Sequence, residues 1–354
     1  MNIHSLSTDA FRQKVLGCYQ NYLAVSPKST ISIGILCGED GYVLGDLQEE
    51  QAKLYNIGSI SKTLTAHLIL RLAQDGKLDL NRPIDDYLPL KSGVYPTATE
   101  LLTHTAGFGH ITPLEITAPG FLLHRYAFKN PYEKCTEKQI LKALERRRRR
   151  RKTAHKYSYS DFSFAVLALL AQRVSGVPFA TLLQDFLHTE LGLSGTGISC
   201  KDREPPAAIG KKAVPFWHWR AENPYLGAGG LLSNIFDMLH YLELEIFSPA
   251  PFITAAHTVC ESAFSPKSKL GVCVGWHTYR RSDQLWHVGA VGTFHSSLIF
   301  NRKRKIAVAV LGNVKGKRAA NVHYLAKMLY YELKTNKINL SSKRVHYENS
   351  DLQL

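Results

Sequence analysis

Strand-like patterning sits at both ends of this chain and helical spacing fills its middle. That division limits the fold more than any other feature. Near the start, Thr30-Ile31-Ser32-Ile33-Gly34-Ile35-Leu36 alternates and is rich in β-branched residues, as a half-buried strand is. Glu39-Asp40-Gly41 has turn chemistry, and Tyr42-Val43-Leu44 returns as a second strand. A third short strand leads into Ile57-Gly58. Strands recur at 271–279, 284–288, 296–300 and 306–311, the last two joined by a turn at Arg302 to Lys305. Between these ends, Leu64, Leu68 and Leu72 recur every four residues, and Gly76 stands where a C-terminal cap is wanted. Thr136 can cap a helix carrying Ile140, Leu141 and Leu144. Residues 162–175 are apolar nearly all round, which predicts a buried helix. Gly176-Val177-Pro178 breaks it and opens another, with Phe179, Leu182, Leu183, Phe186 and Leu187 inward. Ser233 is taken as the cap of a helix carrying Met238, Leu239, Leu242 and Ile246. Amphipathic helices are expected over 1–25, through Phe11, Val15, Leu16 and Tyr19, and near the end, through Val322, Leu325, Ala326, Leu329 and Leu333. The whole predicts an α/β (α+β) fold: an antiparallel sheet built from N- and C-terminal segments, flanked by helices, with an inserted all-helical region. Residues 1–58 and 265–354 form the expected sheet region and 59–264 the helical region, one domain with the site between them.

Composition narrows the classes. The chain has 354 residues, 45% hydrophobic and 21% charged, enough for a sizeable core. No basic segment followed by an apolar run opens it, so no secretory signal is seen. The longest apolar run, Phe164 to Ala171, is far short of the ~20 residues a membrane span needs. The expectation is a cytoplasmic protein without a transmembrane segment, or a secreted or periplasmic one if a leader has been removed. The cysteines Cys18, Cys37, Cys135, Cys200, Cys260 and Cys273 lack metal-type spacing, and there is no H-E-x-x-H; no metal or cofactor is expected. The net charge of +15 is partly local. Arg146, Arg147, Arg148, Arg149, Arg150 and Arg151 run unbroken into Lys152, and Arg302 to Lys305 form a second cluster. Without aromatic interleaving or a nucleic-acid motif, these read as a solvated helix end and a hairpin turn, and no nucleic-acid partner is expected. An anionic surface is the alternative partner for the arginine run.

The chemistry centres on Ser59 and Lys62. Three residues apart at the start of a helix, they share one face, with Cβ atoms roughly 5–6 Å apart. A serine hydroxyl is a poor nucleophile until something takes its proton, and a lysine one turn away can, if its charge is suppressed or shared. The first turn of a helix adds free backbone N–H groups and the positive end of the dipole. Tyr159, in Tyr159-Ser160-Asp161 at the start of the buried helix, can share a proton with both. His287-Val288-Gly289 lies on a strand, and Gly289 permits close backbone approach by a substrate. Each motif alone is weak: S-x-x-K is common, and tyrosines number 17.

Together, in this order, the motifs resemble the serine β-lactamase and penicillin-binding-protein superfamily, most closely its branch of class C β-lactamases, D-stereospecific peptidases and esterases. Asn56 to Ala66 is similar to that family's nucleophile segment, and Leu101-Leu102-Thr103-His104-Thr105-Ala106-Gly107 to its L-L-T-H-T-S-G loop. Tyr159 to Gly176 resembles its Y-S-N segment and following helix, Gly227 to Ser233 its A-G-G-L-x-S turn, and His287 to Asn313 its last strands. The likeness covers roughly residues 30 to 335. It implies an acyl-enzyme on Ser59, with Lys62 and Tyr159 moving the proton, and an oxyanion hole from the backbone N–H groups of Ser59 and Ala290. Two departures stand out. Asp161 replaces the usual asparagine, and a carboxylate cannot donate to a substrate carbonyl; near Lys62 it would also favour the ammonium. His287 replaces the lysine of class C β-lactamases and, largely uncharged, grips a substrate carboxylate less firmly. The arginine run and Lys152 to His155 stand where a Pro-Gly turn is usual, on a loop expected to border the cleft. The expected function is a serine hydrolase acting on a small-molecule ester, peptide or amide, a carboxylesterase or a D-amino-acid peptidase or carboxypeptidase. The alternatives are a β-lactamase or penicillin-binding protein, a non-catalytic binding module on the same fold, and an unrelated basic nucleic-acid-binding protein.

Overall fold

The computed structural model describes residues 1–6, 30–44, 46–109, 130–148, 156–199, 217, 219–260, 270–313 and 320–335. In chain order its strands are β1 (Asn2–Leu6), β2 (Thr30–Cys37), β3 (Asp40–Leu44), β4 (Tyr55–Asn56), β5 (Gly197–Ile198), β6 (Leu231–Ser233), β7 (Leu270–Val272), β8 (His277–Tyr279), β9 (Leu285–Val291), β10 (Phe294–Asn301) and β11 (Ile306–Asn313). Its α-helices are α1 (Leu47–Ala52), α2 (Ser61–Gln74), α3 (Ala98–Leu102), α4 (Glu137–Arg146), α5 (Asp161–Ser175), α6 (Phe179–Asp185), α7 (Leu226–Gly229), α8 (Ile235–Phe247), α9 (Pro251–Ala256) and α10 (Ala320–Lys334).

The large sheet runs β1-β3-β2-β11-β10-β9-β8-β7, so strands from both ends of the sequence interleave. All its pairings are antiparallel except β1 with β3. Both faces are covered, and the period of two in the sequence sorts side chains between them. Ile31, Ile33 and Ile35 of β2 and Val308 and Val310 of β11 face a core closed by Val322, Leu325 and Leu329 of α10. Leu36, Ala307, Ala309 and Leu311 face the main core with Leu239 and Leu242 of α8. There α8 lies so close that a Cβ on Gly34 would sit 2.7 Å from Leu239 Cγ. The helical middle is built around α5, whose residues Phe162 to Ala171 are all buried. Ser160 caps α5 by accepting from the Ser163 N–H, and Gly176 closes it with φ 73°.

Several local expectations shift. Residues 2–6 are not helical: they form a strand beside β3, with His4 near Asp40 at 3.4 Å and its ring on Tyr42 at 5.4 Å. The apolar set Phe11 to Tyr19 lies outside the described residues. Ser233 is not a cap. It ends β6 opposite Tyr55, with its hydroxyl bonded to Thr196, and Asn234 caps α8 through the Asp237 N–H. Residues 271–279 are not one strand but a hairpin turning at Gly275, φ +78°. Thr136 does cap α4, in a reciprocal box with Gln139.

Candidate active site

Ser59 lies in a single 3₁₀ turn, Gly58–Ile60, between β4 and α2. The turn is tied down on three sides. Ile57 donates to Leu231 O at 3.0 Å, Leu231 N–H donates to Ser61 Oγ at 3.3 Å, and Ser296 Oγ donates to Ile57 O at 2.8 Å. Two glycines permit this packing. Gly58 has φ +52°, and a Cβ there would lie 2.6 Å from Ala290 N. A Cβ on Gly289 would lie 1.9 Å from Ile57 O. The close approach for which Gly289 makes room is thus that of the chain's own Ile57 carbonyl. Topology explains why β9 is available: β8 pairs only with Leu285 and Trp286, so β9 from His287 onward runs past its neighbour, with no strand on that edge among the described residues.

Lys62 follows at the start of α2, wholly buried. Its Nζ donates to Ser59 Oγ at 3.1 Å and to Ala228 O at 2.6 Å, and stands 2.7 Å from Asp161 Oδ1. Two acceptors thus take its hydrogen bonds, and the Asp161 carboxylate faces it as an ion pair. The Ala228 carbonyl comes from α7, held against α2 by Thr65 Oγ1 donating to Gly227 O at 2.9 Å. Tyr159 and Asp161 enter from the start of α5, and the loop after α3 holds that start. His104, at φ 57°, accepts the Ser160 N–H on Nδ1 at 3.1 Å, receives the Ser158 N–H on its carbonyl at 2.9 Å, and packs its ring 4.6 Å from that of Tyr159. Since Nδ1 accepts, the His104 proton is on Nε2. Tyr159 hydrogen-bonds both Ser59 and Lys62.

Burial alone pulls the Lys62 pKa down, but Asp161 and Tyr159 more than reverse it, and the net shift is upward. Burial raises Tyr159; Lys62 opposes that and Asp161 adds to it, again a net upward shift. The resting pair at neutral pH is therefore an ammonium and a neutral phenol. His287 is pushed well below its usual range by burial, then by His277, Lys62 and His104, so it is neutral.

A cavity of about 270 Å³ opens over this cluster, lined by Ser59, Tyr159, Asp161, Gly289 and Ala290 together with Tyr132, Trp217 and Trp219. Of the residues singled out in the sequence, Ser59, Lys62, Tyr159, Asp161, Gly289 and Ala290 come together here. His287 does not line the cavity. It is buried behind Tyr159, ring centroids 6.4 Å apart, with Nδ1 2.9 Å from Val288 O. Arg146 and Arg148 border a separate surface groove with Lys91, Lys138 and Lys142; Arg149 to Arg151 and Lys152 to His155 lie outside the described residues. Sequence reasoning missed Tyr132, whose hydroxyl donates to Asp161 Oδ2 at 3.0 Å, and the aromatic wall of Trp217 and Trp219. The spacing Trp217-His218-Trp219 was the one signal available for that wall.

Comparison with known proteins agrees with this architecture. The β-lactamase family profile matches residues 46–331. Protein flp of Staphylococcus aureus (strain N315) is 21% identical over 304 residues, 80% of this chain and 56% of its own length. A β-lactamase of Providencia stuartii is 29% identical over 203 residues, 55% of this chain and 47% of its own. The chain therefore spans about half the length of these curated relatives. Among solved structures, a β-lactamase/D-alanine carboxypeptidase from Yersinia pestis, complexed with citrate, aligns with a TM-score of 0.70 at 18% identity, covering 93% of this chain and 100% of that one. At that identity the likeness speaks for the fold. The chain belongs to the β-lactamase family, within the superfamily of serine β-lactamases and penicillin-binding proteins.

Proposed function

We propose that the chain is a serine hydrolase that cleaves a small ester or amide through an acyl-enzyme on Ser59. The observation that carries this reading is Lys62 Nζ at 3.1 Å from Ser59 Oγ, with Tyr159 bonded to both, on the floor of an open cavity. In the first step Ser59 Oγ bonds to the substrate carbonyl carbon. Tyr159 takes the serine proton as it passes its own to the leaving oxygen or nitrogen, and Lys62 holds the developing charge on the phenol oxygen. The carbonyl oxygen gathers negative charge between the Ser59 and Ala290 N–H groups, each donor worth about 3 kcal/mol. Water then attacks the acyl carbon, and the acid leaves as the serine recovers its proton.

Within this class we favour a carboxylesterase or D-amino-acid peptidase over a β-lactamase. Asp161 carries a carboxylate where an amide would donate to a substrate carbonyl, and His287 is buried and neutral, offering no charge to a substrate carboxylate. The second reading, a binding module without turnover, is favoured by one observation: the same Asp161 holds Lys62 as an ammonium. A small fluorophosphonate separates the two. Stoichiometric labelling at Ser59, read by mass spectrometry and abolished with ester turnover in Ser59→Ala, is expected. An intact preparation that takes no label and hydrolyses no ester would leave only the binding module.

A further inference from the structure

The cavity beside Ser59 is lopsided in its chemistry. On one side Tyr132, Trp217 and Trp219 form a wall of rings, continued by Val288 and Val291 of β9. The rings brace one another. Tyr132 stacks on Tyr225 at 4.2 Å and 12° and lies nearly parallel to Trp219 at 6.2 Å and 19°. Trp217 closes the corner, 6.5 Å from both Tyr132 and Trp219. Such mutual packing leaves a preformed apolar surface that a ligand need not organise. Tyr132 also joins this wall to the reacting groups, since its hydroxyl bonds Asp161, which faces Lys62.

The charges on the other side are equally specific. Among the described lining residues Asp161 is the sole charged group, and it is an anion. The Lys62 ammonium beside it lies wholly buried, turned toward Ser59, Ala228 O and Asp161 itself. A substrate carboxylate entering here would meet a like charge in a partly desolvated site. Size suffices as well. A cavity of about 150 Å³ takes a benzene ring, so about 270 Å³ has room for a ring and its acyl link.

We propose that this site takes substrates whose acyl half is uncharged and carries a ring, docked against Tyr132, Trp217 and Trp219, and that it turns away acyl groups bearing a free carboxylate. The proposal rests on the acyl-enzyme reading above and assigns the substrate class within it. For an aryl ester, Ser59 Oγ forms the new bond to the carbonyl carbon and the bond from that carbon to the aryl oxygen breaks. Tyr159 takes the serine proton as it gives its own to the departing oxygen, which leaves as the phenol, and water later releases the arylacetic acid.

The test compares three p-nitrophenyl esters: the acetate, the phenylacetate and the glutarate half-ester with its free carboxylate. Values of kcat/KM are corrected for each ester's uncatalysed rate. The phenylacetate should exceed the acetate by about tenfold or more, and the glutarate should fall below the acetate. In Trp219→Ala the phenylacetate-to-acetate ratio should collapse toward one. Trp219→Leu, which keeps most of the buried volume, should lower the same ratio if the alanine variant does not fold. Equal rates for phenylacetate and acetate, a glutarate faster than the acetate, or a ratio unmoved by either substitution would overturn the proposal. Fluorophosphonate labelling of Ser59 does not depend on a ring-bearing acyl group. Label without ring preference therefore defeats the acyl pocket alone, whereas no label and no turnover defeat the hydrolase reading beneath it.

Discussion

At the scale of single residues, the contact that decides how the cluster works is Lys62 with Asp161, 2.7 Å apart. Burial alone would bring the lysine toward a neutral amine; Asp161 is the larger of the opposing influences. Removing that anion by Asp161→Asn leaves burial in command, so the Lys62 pKa should fall. The mechanism uses Lys62 as an ammonium, so the alkaline limb of the kcat/KM profile, where that proton is lost, should move down. An opposite charge within about 4–6 Å is worth 1–3 pKa units, and the limb should move by about that much. An alkaline limb that stays in place would take Lys62 out of that role. The i,i+3 spacing of Ser59 and Lys62 was legible in the sequence, as was the threat an anion at position 161 poses to a lysine base. Tyr132 was not. Its role depends on one hydroxyl meeting Asp161 from 29 residues upstream, and nothing in its local pattern marks it apart from the other tyrosines.

At the scale of elements, the site is a junction between the Ser59 turn and the edge of β9. Gly289→Ala tests it. The new Cβ would fall 1.9 Å from Ile57 O and 2.4 Å from Ser296 Oγ, so either β9 or the turn must move. Overpacking of this kind costs about 1–3 kcal/mol in stability. A displacement of about 1 Å between Ser59 and Ala290 should cost about a hundredfold in turnover. Gly76→Ala is the matched control. It too has positive φ, +72°, but a Cβ there meets nothing within 4 Å. It should lose about 1–2 kcal/mol of stability from the left-handed backbone and leave turnover unchanged. Equal turnover losses in the two variants would mean that backbone strain, not the junction, limits activity. The strands at 30–36 and 306–311 and the buried helix at 162–175 were legible because alternation and all-round apolarity are local signals. Two features were not. The strand at Asn2–Leu6 exists only by pairing with β3, and the cap of α8 fell to Asn234 because Ser233 is held in β6.

At the scale of the whole molecule, the fold buries imidazoles on both sides of the sheet–helix junction, and this sets its response to acid. His67 of α2 is held low by burial even though Glu245 pulls it up. Its Nε2 lies 3.2 Å from Glu245 Oε1, and its Nδ1 3.0 Å from the Tyr241 hydroxyl. Burial and His323 bring His277 down to about 3, and His287 lies well below its usual range. An imidazole whose folded pKa lies below its unfolded value of about 6.5 favours the folded state fully above that value. As pH falls, the unfolded chain takes the proton first, and stability declines. Glu245 acts in the same direction further down: burial raises its pKa, but His67 and His257 more than offset this, so its carboxylate supports the fold above the usual carboxylate range and less as pH drops. Each group that the unfolded state protonates first contributes a slope of about 1.4 kcal/mol per pH unit. With His295 and His323, each also brought down to about 4 chiefly by burial, five such imidazoles give roughly 7 kcal/mol per unit below pH 6.5, against a total stability of about 5–15 kcal/mol for a domain. The chain should therefore lose its fold between about pH 6 and 4 rather than at the acid extreme, measured by urea unfolding at a series of pH values. His277→Phe keeps a ring against Trp286, 4.8 Å away in the native packing, and removes one proton site. Its slope should be shallower by about 1.4 kcal/mol per pH unit. A stability that stays level from pH 7 to 4.5, or a slope that His277→Phe leaves unchanged, would mean that these rings are not what the acid reaches first.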